Sequence, residues 1–311
     1  MALKLYSFLV IFLIFIVSLS TASFAFNQLG YNGLDDDLLS LGFAVPDLAL
    51  AEANIAVPKN PFAGLNNPAA LKDLPRGSIH SLHGMMYEGV EIYGLNFAYP
   101  IFPELVANIN WLQFQIAEIP IIPTENADLN TDIEATSFAT YVSNCLNSAL
   151  SYSLTKELSI GLALNLFFRD IQNLAVKGYG YSLTPGINYQ VAPNLYLGAY
   201  LKNALSLSEW QTGYKETFAR LFNLGLAYNI DNFSVFLELS KQLVTDTPYI
   251  FKYACEYKIF PFLTLRAGAY PNRFNAGLGL ILGSFTIDYT YVGADKYSLA
   301  NSSRLAVGFL F

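Results

Sequence analysis

The chain is 311 residues long, 53% hydrophobic and only 13% charged, with a net charge of −7 at neutral pH. Average globular proteins carry roughly 25% charged residues, so the composition argues against an ordinary soluble domain, and the acidic balance argues against a nucleic-acid partner. Two cysteines, Cys145 and Cys255, are too few for a disulfide scaffold, while a single bridge between them stays open. The aromatic share of 15%, with 21 Tyr and 24 Phe, suits a surface that faces lipid between aromatic girdles. A Tyr-rich secreted all-β sandwich is the alternative.

The N-terminus has the layout of a secretory signal. Lys4 supplies the positive end, Leu5 to Val17 is apolar apart from Ser7, and Ser23-Phe24-Ala25 sets small residues at −3 and −1 of a cut before Phe26. We expect a signal peptide at 1–25, with an uncleaved anchor helix as the runner-up. No Cys follows the cut, so a lipid anchor is not indicated. Elsewhere no run of eighteen apolar residues occurs, although the chain stays very apolar. A closed β-barrel reconciles these facts, because strand alternation hides membrane surface from a sliding window.

Residues 26–76 alternate poorly. Pro58, Pro61 and Pro68 limit regular structure here, and the stretch ends in Asn67-Pro68-Ala69. Asp35-Asp36-Asp37 reads as a solvated loop or helix start rather than a metal site, since no ligand spacing follows it.

From residue 77 the chain divides into about fourteen strand-like segments, most of them long enough to cross a bilayer when tilted. Examples are 78–87, 90–99, 105–116, 136–154, 158–171 and, at the end, 273–282, 284–292 and 302–311. Expected inner turns, such as 100–104 and 283, are short. Expected outer loops, such as 117–135 and 205–216, are mostly longer, as in bacterial barrels. Successive strand residues face opposite sides. Ile160, Leu162, Leu164 and Leu166 therefore face lipid, with Asn165 and Arg169 inward. A charge on the lipid face costs several kcal/mol, about 2–4 for Arg or Lys at the midplane. Arg169, Glu238, Arg266, Asp288 and Arg304 must then line the lumen, where pairing with one another weighs against a direct role with ligand. Phe236 is a candidate lumen wall.

Catalytic and cofactor signals are missing. His80 and His83 lie three apart on a strand, so they face opposite sides and do not chelate a metal. No Gly-x-Ser-x-Gly elbow and no phosphate-binding glycine loop occurs. No enzyme activity, metal or cofactor is expected.

Asn67-Pro68-Ala69, placed before the first strand, resembles the N-terminal segment of FadL-type outer-membrane transporters and of the PorV/PorQ group. Ala70 stands where the PorV form commonly has Gly. The segments 224–228, 263–268, 276–280 and 285–289 and the ending 304–311 are similar to the C-terminal half of PorV-like barrels. The resemblance implies an all-β, closed antiparallel transmembrane β-barrel at 77–311, with residues 26–76 folded as a hatch in the lumen and a bacterial outer-membrane location. It implies passive transport of hydrophobic small molecules. Alternatives are a secretion-accessory barrel of the type IX kind or a structural one; a general porin is disfavoured, because an open pore needs no hatch. Expected partners are outer-membrane lipid, a hydrophobic ligand or secretion components, and the barrel-assembly machinery. The assembly machinery would read the last strand through Val307, Phe309 and Phe311.

Overall fold

The structure, a computed structural model, describes residues 38–87, 90–121, 135, 137–244, 247–271, 273–294 and 301–311; the expected signal peptide and Asp35-Asp36-Asp37 lie outside them. Sixteen strands follow one another. They are β1 (Ser78–Tyr87), β2 (Val90–Phe102), β3 (Leu105–Ile121), β4 (Ser137–Ser153), β5 (Leu158–Gln172), β6 (Val176–Ala192), β7 (Leu195–Lys202) and β8 (Leu205–Trp210). Then come β9 (Lys215–Glu216), β10 (Leu221–Ile230), β11 (Phe233–Gln242), β12 (Tyr249–Phe260), β13 (Leu263–Tyr270), β14 (Arg273–Leu282), β15 (Phe285–Val292) and β16 (Ser302–Leu310).

All pairings are antiparallel, and β1 closes on β16 from Ser78↔Leu310 to Met85↔Ser303. Closure leaves no unpaired edge, which a wall in lipid requires. β7 and β8 both pair with β6, while β10 pairs with β7 and β9 with β8. β7 with β8, and β9 with β10, each make one wall strand with a break in it, so the barrel has fourteen wall strands, as expected. One break holds Asn203 at a left-handed φ of +55°.

The outer loops are shorter than the sequence suggested. The expected loop 205–216 is strand for most of its length, because Leu205 is exposed while Ser206 and Ser208 are buried. That alternation is present in the sequence but follows the break at Asn203. Likewise β3 runs on to Ile121, past an irregularity between Ile116 and Ile119. The connections at 103–104, 154–157, 193–194, 231–232, 261–262 and 283–284 all lie at the end that carries both barrel termini, here called the short-turn end.

The faces follow the alternation. Ile79, Leu95, Ile109, Leu162, Leu237, Leu265 and Val307 are exposed around the outside. Aromatic girdles close both ends of this belt: Phe102, Tyr152, Phe260, Phe262, Phe285 and Phe311 at the short-turn end, and Phe138, Tyr179, Tyr249, Phe251, Phe274 and Tyr291 at the other. An apolar belt between aromatic girdles is the outer surface of a membrane-spanning barrel. Among the described residues no helix is long and apolar enough to cross a membrane. Cys145 is buried, Cys255 lies elsewhere in the wall, and the two are not bridged.

Residues 38–76 take no part in the wall. They form a short helix, Val45–Ala49, and 3-10 turns at Leu38–Leu41, Ala63–Leu65 and Pro68–Leu71. Their partners are inward side chains from β2 round to β16 (described next), so this segment runs through the lumen.

Candidate functional site in the lumen

A buried segment with so little helix leaves most of its backbone carbonyls without an internal partner, and each costs free energy unless something donates to it. The wall supplies the donors. Thr290 Oγ1 donates to the carbonyl of Val45 (2.6 Å) and Asn275 Nδ2 to that of Leu48 (2.7 Å). Asn188 Nδ2 donates to Ala56 (2.8 Å), Asn96 and Asn108 both donate to Pro61, and Asn147 donates to Gly64. Arg304 Nη1 donates to Leu41 (2.6 Å) and to Gly42.

Asn67-Pro68-Ala69 is the most heavily tied part. Asn67 Oδ1 accepts from the Ala69 amide (3.2 Å), which caps the 3-10 turn that Pro68 opens. Asn67 Nδ2 donates to Ile55 within the segment (2.9 Å) and to Ile187 of β6 (3.1 Å). The Ala69 carbonyl accepts from Ser151 of β4 (3.1 Å) and Ser159 of β5 (2.9 Å). Approach this close needs a wall without side chains. A Cβ at Gly161 would sit 2.4 Å from the Ala69 nitrogen, and one at Gly186 would sit 2.2 Å from Asn67 Oδ1.

The inner face is layered by strand register. One row reads Thr286, Gly308, His80, Asn96, Asn110, Asn147, Asn165 and Ser182 across neighbouring strands from β15 through β16 and β1 to β6. Its amides bond side chain to side chain: Asn96 to Asn110 (2.6 Å), Asn110 to Asn147 (2.7 Å), Asn147 to Asn165 (2.6 Å) and Asn165 to Ser182 (3.0 Å). The next row away from the short-turn end is apolar: Leu82, Gly94, Leu112, Cys145 and Phe167. Ile92 and Phe218 join it in one cluster that encloses Leu38, Leu39, Phe43, Val45 and Leu65. Phe167 and Phe218 meet edge to face at 4.9 Å.

The charged residues expected in the lumen are all there. Arg169 pairs with Glu216 (3.0 Å) and lies over Trp210 and Phe218. Glu238 faces Lys252 at 3.0 Å. Arg266 donates to Glu256 (2.9 Å) and Asp288 (2.7 Å). Of the five residues named from the sequence, Arg266 and Asp288 pair with each other. The remaining partners, Glu216, Lys252 and Glu256, come from strands that register alone brings close. Phe236 packs against Leu50, Ala53 and Ala56 of the luminal segment.

Within the segment, Asp47 accepts from Asn54 Nδ2 (2.7 Å) and Asn60 Nδ2 (3.0 Å) and so ties its two halves together. Burial pushes this carboxyl up to about 6, against the lowering effect of the two amides. On the last strand, Val307, Phe309 and Phe311 all point outward. Phe311 stacks near Phe97 and Tyr99, and its amide donates to Gly77.

Sequence reasoning missed the wall donors Asn96, Asn108, Asn147 and Asn188. Their inward parity was readable, but which of them meet was not. Among the described residues no group of His, Cys, Asp or Glu is arranged to hold a metal.

No protein-family model and no curated protein matches this chain. Solved structures do. The chain is similar to the Ralstonia pickettii toluene transporter TbuX, at 14% identity over 87% of this chain and 98% of that one, with a TM-score of 0.60. It is similar to a Pseudomonas aeruginosa FadL homologue at 11% identity, over 86% and 98% of the two chains, with a TM-score of 0.56. It is also similar to the Pseudomonas putida toluene transporter TodX at 12% identity, over 86% and 96%, with a TM-score of 0.55. The shared property is the fold, a closed antiparallel β-barrel. None of these likenesses supports the PorV/PorQ resemblance.

Proposed function

We propose that this barrel passively admits hydrophobic small molecules across the outer membrane, with residues 26–76 acting as a hatch and residues 1–25 directing export. The observation that carries this reading is the apolar collar inside the barrel, built from Leu82, Ile92, Leu112, Phe167 and Phe218 and filled by Leu38, Leu39 and Phe43. The lumen of a water-filled porin is polar. An apolar collar offers nothing to a hydrated solute but takes up a hydrocarbon by the same burial that holds the three luminal side chains, roughly 25 cal/mol per Å² of apolar surface. The channels named by the solved structures, two of them toluene transporters, fit the same chemistry. Nothing in the lumen favours the secretion-accessory reading. Val307, Phe309 and Phe311 present the outward aromatic ending that the assembly machinery would read.

The test is flux of toluene and of a hydrated sugar into proteoliposomes, with the full chain and with residues 26–75 removed. Toluene uptake by the full chain without sugar uptake is the expected result, and sugar leakage should appear once the segment is gone. Absence of toluene flux in both forms would sink the transport reading. Absence of sugar leakage in the shortened form would sink the hatch.

A further inference from the structure

A cavity of about 360 Å³ lies between the luminal segment and the barrel wall at the short-turn end, in the size range of small-molecule sites. Its two sides differ. The segment presents Leu50, Val57, Pro61 and Phe62; the wall presents Ser78, Thr264 and Thr286. Phe62 is held in place by its contact with the His80 ring, 4.7 Å between centroids. The segment side thus carries an apolar patch with an aromatic member beside Asp47, Asn54 and Asn60, and the wall carries hydroxyls beside Leu280, Ile281 and Leu310.

Two of those hydroxyls stand out. Ser78 Oγ and Thr286 Oγ1 are buried and have no hydrogen-bond partner among the described residues. Almost all buried polar groups are satisfied, so two orphans lining one cavity ask for an explanation. Thr286 stands on β15 and Ser78 on β1, with β16 between them. Thr286 and His80 flank Gly308 in register, and a Cβ at Gly308 would meet both Thr286 Oγ1 (2.5 Å) and His80 Nε2 (2.6 Å). Ser78 is two residues from His80 on the same face of β1. Each hydroxyl both donates and accepts.

The charges lining the cavity narrow the ligand. Among the described residues lining the cavity, Asp47, Glu256 and Asp288 face one interior cation, Arg266, which already donates to two of them. The other cations, Lys59, Arg76 and Lys258, are exposed at the rim, where salt screens them. An interior with excess carboxylate disfavours a carboxylate guest. A bare hydrocarbon would cover the apolar patch and leave the hydroxyls unmet.

We infer that this cavity binds a small neutral hydrocarbon carrying one hydroxyl, of the phenol or alkanol class, with its ring or chain against Phe62 and Leu50 and its hydroxyl on Thr286 or Ser78. Binding stands on the cavity alone; that the cavity is the last station of a solute leaving the barrel rests on the transport reading above.

The experiment uses the full chain in lipid nanodiscs and measures the affinity of phenol, toluene and benzoate by equilibrium dialysis. Phenol should bind about tenfold more tightly than toluene or benzoate. The double variant Thr286→Val, Ser78→Ala should lose about tenfold for phenol and nothing for toluene, while Thr286→Ser keeps phenol binding. Heat-modifiable gel mobility checks that each variant is folded; should the double variant not fold, Thr286→Val and Ser78→Ala taken singly give the same comparison. Equal affinity for phenol and toluene, or variants that bind phenol as the parent does, would overturn the proposal. Toluene flux with indifferent phenol binding discards the cavity and keeps the channel. Selective phenol binding without toluene flux does the reverse.

Discussion

Two arcs of the same wall grip the luminal segment in opposite ways. From β2 to β5 one inward row is neutral: Asn96, Asn110, Asn147 and Asn165 bond to one another, and Asn96 and Asn147 spend their spare donors on the carbonyls of Pro61 and Gly64. From β11 to β15 the inward pairs are ionic: Glu238 faces Lys252, and Glu256, Arg266 and Asp288 satisfy each other. An amide has donors and an acceptor, so a row of amides can be internally bonded and still hold a partner. An ion pair is complete once its charges meet. The neutral row therefore seats the stretch around Pro61 and Gly64, Asn275 and Thr290 on the other arc hold Leu48 and Val45, and beside the ionic trio a cavity is left open.

The comparison can be broken from either side. The largest effect belongs to the ionic arc. Arg266→Met strands Glu256 and Asp288 against each other, and removing one partner of a buried pair costs about 3 kcal/mol or more. A large drop in the unfolding midpoint in detergent is expected; a midpoint within a degree of the parent would show that water already screens the trio. Second comes the seat of the neutral arc. Gly161→Val drives a side chain into the backbone at Ala69 and Pro68, whose atoms cannot turn aside. Overpacking of this kind costs about 1–3 kcal/mol. Here it should appear as faster protease cleavage within residues 38–76 while the barrel keeps its heat-modifiable mobility.

Asn147→Leu is milder. It unpairs Asn110 Nδ2, Asn165 Oδ1 and the Gly64 carbonyl, at about 1–3 kcal/mol for a buried group left unmet. Relaxation of the row keeps the total at the low end, and thermal unfolding reads it. If Asn147→Leu cost more than Arg266→Met, the ranking of the two arcs would be wrong.

The smallest effect is a pH dependence. Asp47 is raised in the folded chain by burial and by Glu52, and is lowered by Asn54, Asn60 and Arg266. A raised carboxyl favours the neutral form. The penalty for burying it is absent below about 4, where the unfolded group is protonated too. It grows as pH rises through the window from about 4 to about 6, and is complete above that. The segment should resist protease better at about pH 4 than at about pH 7. Asp47→Asn should flatten that difference, and a variant that still tracks pH would move the effect to another group.

Much of the fold was legible because a lipid-facing strand allows few choices. Alternation placed Ile160, Leu162 and Leu164 outside and Asn165 and Arg169 inside, and the structure agrees. The breaks were less legible. Leu205–Trp210 alternates well but reads as a loop, because Asn203 interrupts the strand and nothing local says that β6 continues to pair beyond it. Asn67-Pro68-Ala69 was visible as a motif. That its bonds run to Ile187, Ser151 and Ser159 was not, since those residues lie 82 to 120 positions away.

The sequence by itself determined which side of the wall each residue takes, because parity along a strand is a local property and a charge facing lipid is too costly to keep. Only the tertiary structure decided which inward residues meet. Register across fourteen strands lined the asparagines into one row, set the leucines and Phe167 in the next, and left Ser78 and Thr286 without partners beside Phe62. Register depends on every strand pairing at once, and no single stretch of sequence carries it.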